Sequence, residues 1–268
     1  MLNTLDNCRR FALNLARAAA SQLLPQECLL CAGLSLQAPV CVDCCGSLPK
    51  LPANRCPQCA MPVATAEICG HCISHSPHFD ATHAVFRYAK PGDRLITALK
   101  YSHRLPAAAF LAKRLVQSLQ RAPALPAPHD EIHAGVRSAP PGVDTSIVAS
   151  VDVVIGLPLH PHRLARRGFN QSVEIGRRAA KAMNIPFSTH LILRHRDTQP
   201  QAELPLKHRR ANVRGAFSCP GKLAGLRIAV VDDVMTSGAT LDEVARTLKR
   251  AGAVHVENWV LARTWPEN

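Results

Sequence analysis

The stretch IAVVDDVMTSGAT, residues 228–240, decides how the chain is read. Ile228 to Val231 form an apolar run of buried-strand type, and Asp232 and Asp233 follow at its carboxyl end. Thr236 to Thr240 then turn into a helical pattern. Gly238 lets main-chain N–H groups approach an anion closely, Thr236, Ser237 and Thr240 add hydroxyl donors, and the helix N-terminus supplies a partial positive charge. This is a phosphate cradle. It is not a Walker loop, because no lysine follows the glycine and the acids precede the turn. Carboxylates repel phosphate, so they must face another part of the same ligand, and two acceptors beside a phosphate fit a ribose 2′,3′-diol. The competing reading is an acidic strand end followed by an ordinary helix cap.

Working outward, the same alternation recurs. VDVVIGLPL (151–159) is a continuous apolar run, NQSVEIGRRAAKAM (170–183) is helical, and TLDEVARTLKRAG (240–252) is a helix closed by Gly252. VHVENWVLA (254–262) is a last strand. Upstream, Leu95, Ile96 and Leu99 repeat at helical spacing, as do Phe110, Leu111, Leu115 and Leu119. Strands alternating with helices predict an α/β fold, a mostly parallel sheet flanked by helices, whose ligands bind beyond the carboxyl ends of the strands. A Pro/Ala-rich insertion at about 122–149 interrupts the pattern with no core of its own.

The cysteines carry the second signal. Cys28, Cys31, Cys41 and Cys44 form two CxxC knuckles, and the set recurs at a constant offset of 28 as Cys56, Cys59, Cys69 and Cys72. Two residues between thiolates let both sulfurs point at one centre, and two knuckles complete a tetrahedral four-sulfur site that suits zinc. Two structural Zn²⁺ ions are expected, rather than disulfides or redox pairs, in a chain that reads as lacking an export signal. The short intervening loop leaves open whether the ligands pair sequentially or in a cross-braced arrangement. Cys8, Cys45 and Cys219 read as packing residues, and His71, inside CGHC, adds nothing to ligand sets that are already complete.

Charge narrows the partners. The chain of 268 residues carries a formal net charge of +13. Eight zinc-bound thiolates bring this to roughly +9. The first 75 residues hold five Lys or Arg and four Asp or Glu, so the excess lies downstream. Between His160 and Gly215 twelve basic residues face three acidic ones. That density suits pyrophosphate in a pocket or a nucleic-acid backbone on a surface. Residues 1–24 read as an amphipathic helix: Asp6, Arg9, Arg10 and Arg17 interrupt the apolar run, which stays short of the ~18 apolar residues a membrane span requires. A cytoplasmic protein without a membrane span is expected.

IAVVDDVMTSGAT looks like the phosphoribosyl-pyrophosphate (PRPP) loop of type I phosphoribosyltransferases. Together with the doubled cysteine ribbon, ALKY (98–101), PLHPHRLARRGFNQS (158–172), RDTQPQAEL (196–204) and RRANVRGAF (209–217), it resembles the ComF/GntX family, described as competence-related and phosphoribosyltransferase-like. The resemblance runs from about Pro25 to Arg263. It implies a double zinc ribbon over 25–76 and a phosphoribosyltransferase domain over 77–268. By motif, Asp232 and Asp233 would hold the ribose hydroxyls and act in catalysis, and Thr236, Ser237, Gly238, Ala239 and Thr240 would hold the 5′-phosphate. Leu157, Pro158, Leu159 and His160 would form the pyrophosphate loop, with Arg163, Arg167, Asn170 and Gln171 placed to meet pyrophosphate or an acceptor. The polar stretch Arg194 to Arg214 resembles the mobile hood of such sites, a loop without strand or helix periodicity. The implied activity is transfer of phosphoribosyl from PRPP, with Mg²⁺, to an unidentified nitrogen acceptor that is a small molecule. The alternative is a non-catalytic PRPP- or nucleotide-binding protein that handles single-stranded DNA, or works with the helicase machinery of competence, during DNA uptake. Aromatics near the basic segment are few, Phe169 and Phe217 among them, which weakens a base-stacking platform.

Overall fold

A computed structural model describes residues 26–35, 38–101, 105–121, 151–199 and 204–265. The predicted N-terminal helix, Cys8 and the Pro/Ala-rich insertion lie outside the described residues. The N-terminal part contains β1 (Gln26–Glu27), β2 (Leu34–Ser35), α1 (Val42–Gly46) and α2 (Gly70–Ser74). The larger part follows with β3 (Ala81–Arg87), α3 (Gly92–Tyr101), α4 (Leu105–Arg121), β4 (Val153–Gly156), α5 (Pro161–Arg167), α6 (Gln171–Ala182), β5 (Phe187–Ser188) and β6 (Leu193–Arg194). It ends with α7 (Leu206–Val213), β7 (Phe217–Ser218), β8 (Arg227–Met235), α8 (Ala239–Arg250) and β9 (His255–Arg263).

The central sheet has five strands in the order β3-β9-β8-β4-β5, and every pairing in it is parallel. Strand alternation divides the core into two layers. Val154, Ala229, Val231, Trp259 and Leu261 face α3, α4 and α6 through Leu95, Leu99, Leu111, Leu115, Ile175 and Ala179. Val153, Ile155, Ile228, Val230, Val256 and Val260 face α8 through Leu241, Val244, Ala245 and Leu248. Both sides being covered explains the unbroken apolar runs. The helical spacings read at Leu95–Leu99 and Phe110–Leu119 fall on α3 and α4, whose apolar positions are buried.

One expectation is extended and one corrected. The strand that carries the acids continues past them: β8 runs to Met235, because pairing with β9 continues through Asp232 opposite Val260, Val234 opposite Ala262 and Met235 opposite Arg263. The acids therefore sit in the distal half of a paired strand, more rigidly than a loop would hold them. The segment 194–214 is not a loop throughout. It contains α7, whose sequence LKHRRANV has no apolar stripe and so gave no helical periodicity. Glu243 of α8 holds it by accepting the Gly215 N–H at 2.7 Å, while Arg196 donates to the Asn212 and Arg214 carbonyls at 2.9 and 2.8 Å.

Candidate functional site

The carboxyl ends of β4 and β8 open into a cleft of about 390 Å³. On its floor Asp232, 9% exposed, accepts the Ser172 hydroxyl at 3.1 Å and the Asp233 N–H at 2.8 Å through the same oxygen, Oδ1. Beyond the acids the chain turns at Thr236 and Ser237, and Gly238 takes a left-handed conformation with φ 79°. A side chain there would be strained, and a Cβ would meet Met235 Cε at 2.8 Å. Gly238 is the N-cap of α8 and supplies no side-chain cap. The Ala239 N–H donates to Ser237 Oγ at 3.4 Å, and the dipole of the 12-residue helix is directed at whatever enters.

The opposite wall is built by the start of α6. Asn170 caps that helix, accepting the Ser172 and Val173 N–H groups at 3.0 and 3.4 Å, and donates to the Leu157 carbonyl at 2.9 Å. Gly156 permits this close approach, since a Cβ would lie 2.6 Å from Val173 N. Leu157, Leu159, Arg163, Arg167 and Gln171 reach the cleft wall; Pro158, His160 and Asn170 do not line it. His160 caps α5 by accepting the His162 N–H at 3.3 Å, and Asp197 gathers His160, His162 and Arg163 at 3.6, 3.3 and 3.6 Å. The loop after β4 is thereby tied to the segment after β6.

Arg166, Ser172 and Arg194 also line the cleft, together with Tyr88 and Thr264, and sequence reasoning did not single them out. Arg194 is 7% exposed, donates to Thr198 Oγ1 at 2.6 Å and stacks over Phe217 at 5.4 Å. Burial, with Arg163 nearby, lowers its guanidinium to about 10, while Asp232 and Asp197 act in the opposite sense. Two buried nitrogens in this wall, Gln171 Nε2 and Arg194 Nε, have no hydrogen-bond partner among the described residues. Buried donors left unpaired are costly, so they mark places where a ligand's acceptors fit. Four guanidiniums (Arg163, Arg166, Arg167 and Arg194) against two carboxylates give the cleft a positive balance. The arrangement can hold an anion at the start of α8 and further negative charge on the arginine wall. Asp232 and Asp233 lie between, able to accept from hydroxyls or to join a hard cation.

The cysteines form two separate sequential tetrads, Cys28, Cys31, Cys41, Cys44 and Cys56, Cys59, Cys69, Cys72, each with its sulfurs within 4.8 Å of one another. The cross-braced alternative is therefore set aside. Sγ separations of 3.9 Å (Cys31 to Cys41) and 3.6 Å (Cys59 to Cys69) bracket the edge of about 3.8 Å that a Zn–S bond near 2.3 Å gives a tetrahedron. N–H groups of Leu30 and Cys41 donate to Cys28 Sγ, and Cys69 N–H donates to Cys56 Sγ, as thiolates need. Burial opposes charge on Cys28, but these backbone donors prevail and bring its thiol down to about 6. The donor sets fit zinc. Cys45, Cys219 and His71 stand outside both sets.

Comparison with known proteins agrees with both halves of this description. Residues 170–264 match the phosphoribosyl transferase domain model and residues 19–73 the double zinc ribbon domain model. The DNA utilization protein YhgH of Salmonella typhi is 30% identical over 246 residues, 90% of this chain and 98% of that protein. Competence protein F of Haemophilus influenzae is 26% identical over 83% of this chain and 96% of its own length. A hypoxanthine/guanine phosphoribosyltransferase of Methanococcus vannielii is 32% identical over 83 residues, 28% of this chain and 45% of that protein. Similarity along nearly the full length of YhgH, with a ribbon and a transferase domain matched in the same order, places the chain in the ComF family of double-zinc-ribbon phosphoribosyltransferase-domain proteins.

Proposed function

We propose that the cleft binds PRPP and transfers its phosphoribosyl group to a nitrogen acceptor. The observation that carries this reading is that one cleft brings together the α8 start at Gly238, the buried Asp232 with the half-buried Asp233, and orphaned donors, Gln171 Nε2 and Arg194 Nε, on the facing wall. In this reading Thr236, Ser237, Gly238, Ala239 and Thr240 hold the 5′-phosphate, and Asp232 and Asp233 accept from the ribose hydroxyls. The loop Leu157–His160 with Arg163, Arg167 and Arg194 receives the pyrophosphate.

Departure of pyrophosphate from C1 leaves positive charge on the sugar and negative charge on the leaving group. The carboxylates lie on the first side and the guanidiniums on the second, so each wall stabilises the charge that develops against it. Asp232 and Asp233, the only carboxylates among the described residues lining the cleft, would help hold Mg²⁺, which supplies neutralisation of the pyrophosphate oxygens. The segment from Arg194 to Arg214, tied to α5 through Asp197, would cover the site and exclude water. The test is pyrophosphate release from PRPP and Mg²⁺ across a panel of bases and ammonia. Turnover with one acceptor, abolished in Asp232→Asn with Asp233→Asn, is expected; release unchanged by that double substitution would refute the assignment.

A role in handling single-stranded DNA is the second reading, favoured by the exposed Arg210 and Arg214 on and after α7 and by relatives named for DNA utilization and competence. Binding should then fall steeply with salt, and neutralising Arg209, Arg210 and Arg214 should flatten the slope by up to about 3. Salt-independent binding would exclude it.

A further inference from the structure

A second cavity, of about 300 Å³, lies away from the cleft and shares no lining residue with it. It is bounded by the middle of β3, by α4 and by the start of the second cysteine ribbon. α4 contributes Arg114, Gln117, Ser118 and Arg121, spaced three, four and seven residues apart and hence on one face. The ribbon contributes Arg55 and the sheet His83.

Three features make this a built site for an anion. Three guanidiniums converge on it and no carboxylate lines it, nor does a carboxylate pair with Arg55, Arg114 or Arg121 among the described residues. Two of its nitrogens, Arg114 Nε and His83 Nε2, are buried without a hydrogen-bond partner among those residues. Its cations are also oriented: Arg114 donates to Gln117 Oε1 at 3.3 Å, and Arg55 donates to the Pro52 carbonyl. Burial pushes the Arg55 guanidinium down, and burial likewise pushes the His83 imidazole down, with Arg55 and His255 acting in the same sense and Glu257 against it. Cations held together with unmade donor bonds lack an acceptor-rich partner, and guanidiniums match phosphate oxygens in geometry as well as charge.

We infer that this cavity is a second phosphate-binding site, in which Arg55, Arg114 and Arg121 clasp the phosphomonoester of a nucleotide-sized ligand and His83 meets its edge. The volume, at the lower end of small-ligand sites, accommodates a phosphate with an attached sugar rather than a large cofactor. A free nucleoside monophosphate and the phosphorylated 5′ end of a DNA strand share this chemistry.

The experiment is a titration of zinc-loaded full-length protein, with histidine ring nitrogens labelled with nitrogen-15, using inorganic phosphate and then a deoxynucleoside 5′-monophosphate. His83 lies in this cavity alone, so its side-chain resonance reports this site whatever happens in the cleft. Saturable shifts of the His83 signals are expected, with affinity about tenfold weaker in Arg121→Gln and in Arg114→Gln, the loss of one charge-assisted contact. Arg121→Lys should recover part of it. Arg121 sits at the end of α4, so its substitution leaves the sheet untouched, and two zincs per chain verify folding. Tighter binding of a 5′-phosphorylated oligonucleotide than of the mononucleotide would assign the strand end, and equal binding the free nucleotide. A His83 signal unmoved by either probe, or one that moves identically in wild type and in folded Arg121→Gln, would overturn the site.

Discussion

At the scale of single residues, Gly238 and Asp232 hold different parts of the same construction and should fail differently. Gly238→Ala forces a Cβ into a left-handed turn at a cost of about 1–2 kcal/mol, and Met235 Cε must move aside. Both melting temperature and PRPP affinity should fall. Asp232→Asn keeps an oxygen for the Ser172 hydroxyl, so stability should change little while PRPP binding is lost. Thermal melts beside calorimetric titrations separate the two; equal loss of stability in both variants would count against these roles. The acids and the glycine were legible in sequence because local chain order brings them together. Arg194 and Ser172 were not, since Ser172 meets Asp232 across 60 residues and only the pairing of β4 with β8 brings them to one place. The Asn170 side chain caps α6 and donates to the Leu157 carbonyl.

At the scale of elements, the parallel sheet and its main helices could be read from apolar periodicity, because burial on both faces leaves that signature. α7 could not, since its anchorage comes from α8 and not from an apolar stripe of its own. Glu243 is that anchor. Although burial opposes its charge, Arg246 and the Gly215 N–H hold its carboxyl below the ordinary value of 4.5. Such a group contributes stability above the unfolded-state value and loses it as pH falls through the lower folded value. Amide exchange over 206–215 should therefore be steady at neutral pH and accelerate only below about pH 4.5, after correction for intrinsic rates. Glu243→Gln should accelerate it at pH 7, weakening the contact by about 1–3 kcal/mol. Exchange in that variant matching the wild type would remove Glu243 as the anchor.

At the scale of the whole molecule, the cysteine ribbons are built into the core layers on either side of the sheet. The first contributes Cys28 and Leu30 to the layer of α3, α4 and α6, and the second contributes Cys56 and Cys59 to the layer of α8. Arg263, 5% exposed at the end of β9, donates to the Cys59 carbonyl at 2.9 Å and to the carbonyls of Met235, Thr236 and Thr264. One guanidinium thus connects a cysteine knuckle to the turn that precedes Gly238. His78 and Asp80 reinforce the link by gripping Asp242 and Lys249 of α8 at 2.7 Å each. Stripping zinc with a chelator should release the ribbon's folding energy and weaken PRPP binding without touching a cleft residue. Arg263→Lys should retain two zincs and lower affinity about tenfold, as four oriented acceptors lose a planar donor. Undiminished affinity after zinc removal would show that the ribbons are independent of the cleft.

The most direct measurement is a crystal structure of the zinc-loaded protein with PRPP and Mg²⁺. The 5′-phosphate is predicted within hydrogen-bond distance of the main-chain amides after Thr236, the ribose hydroxyls against Asp232 and Asp233, and the pyrophosphate on the wall that Leu157, Leu159 and Arg194 line. PRPP seated elsewhere, or reversed so that pyrophosphate occupies the turn at Gly238, would contradict the account.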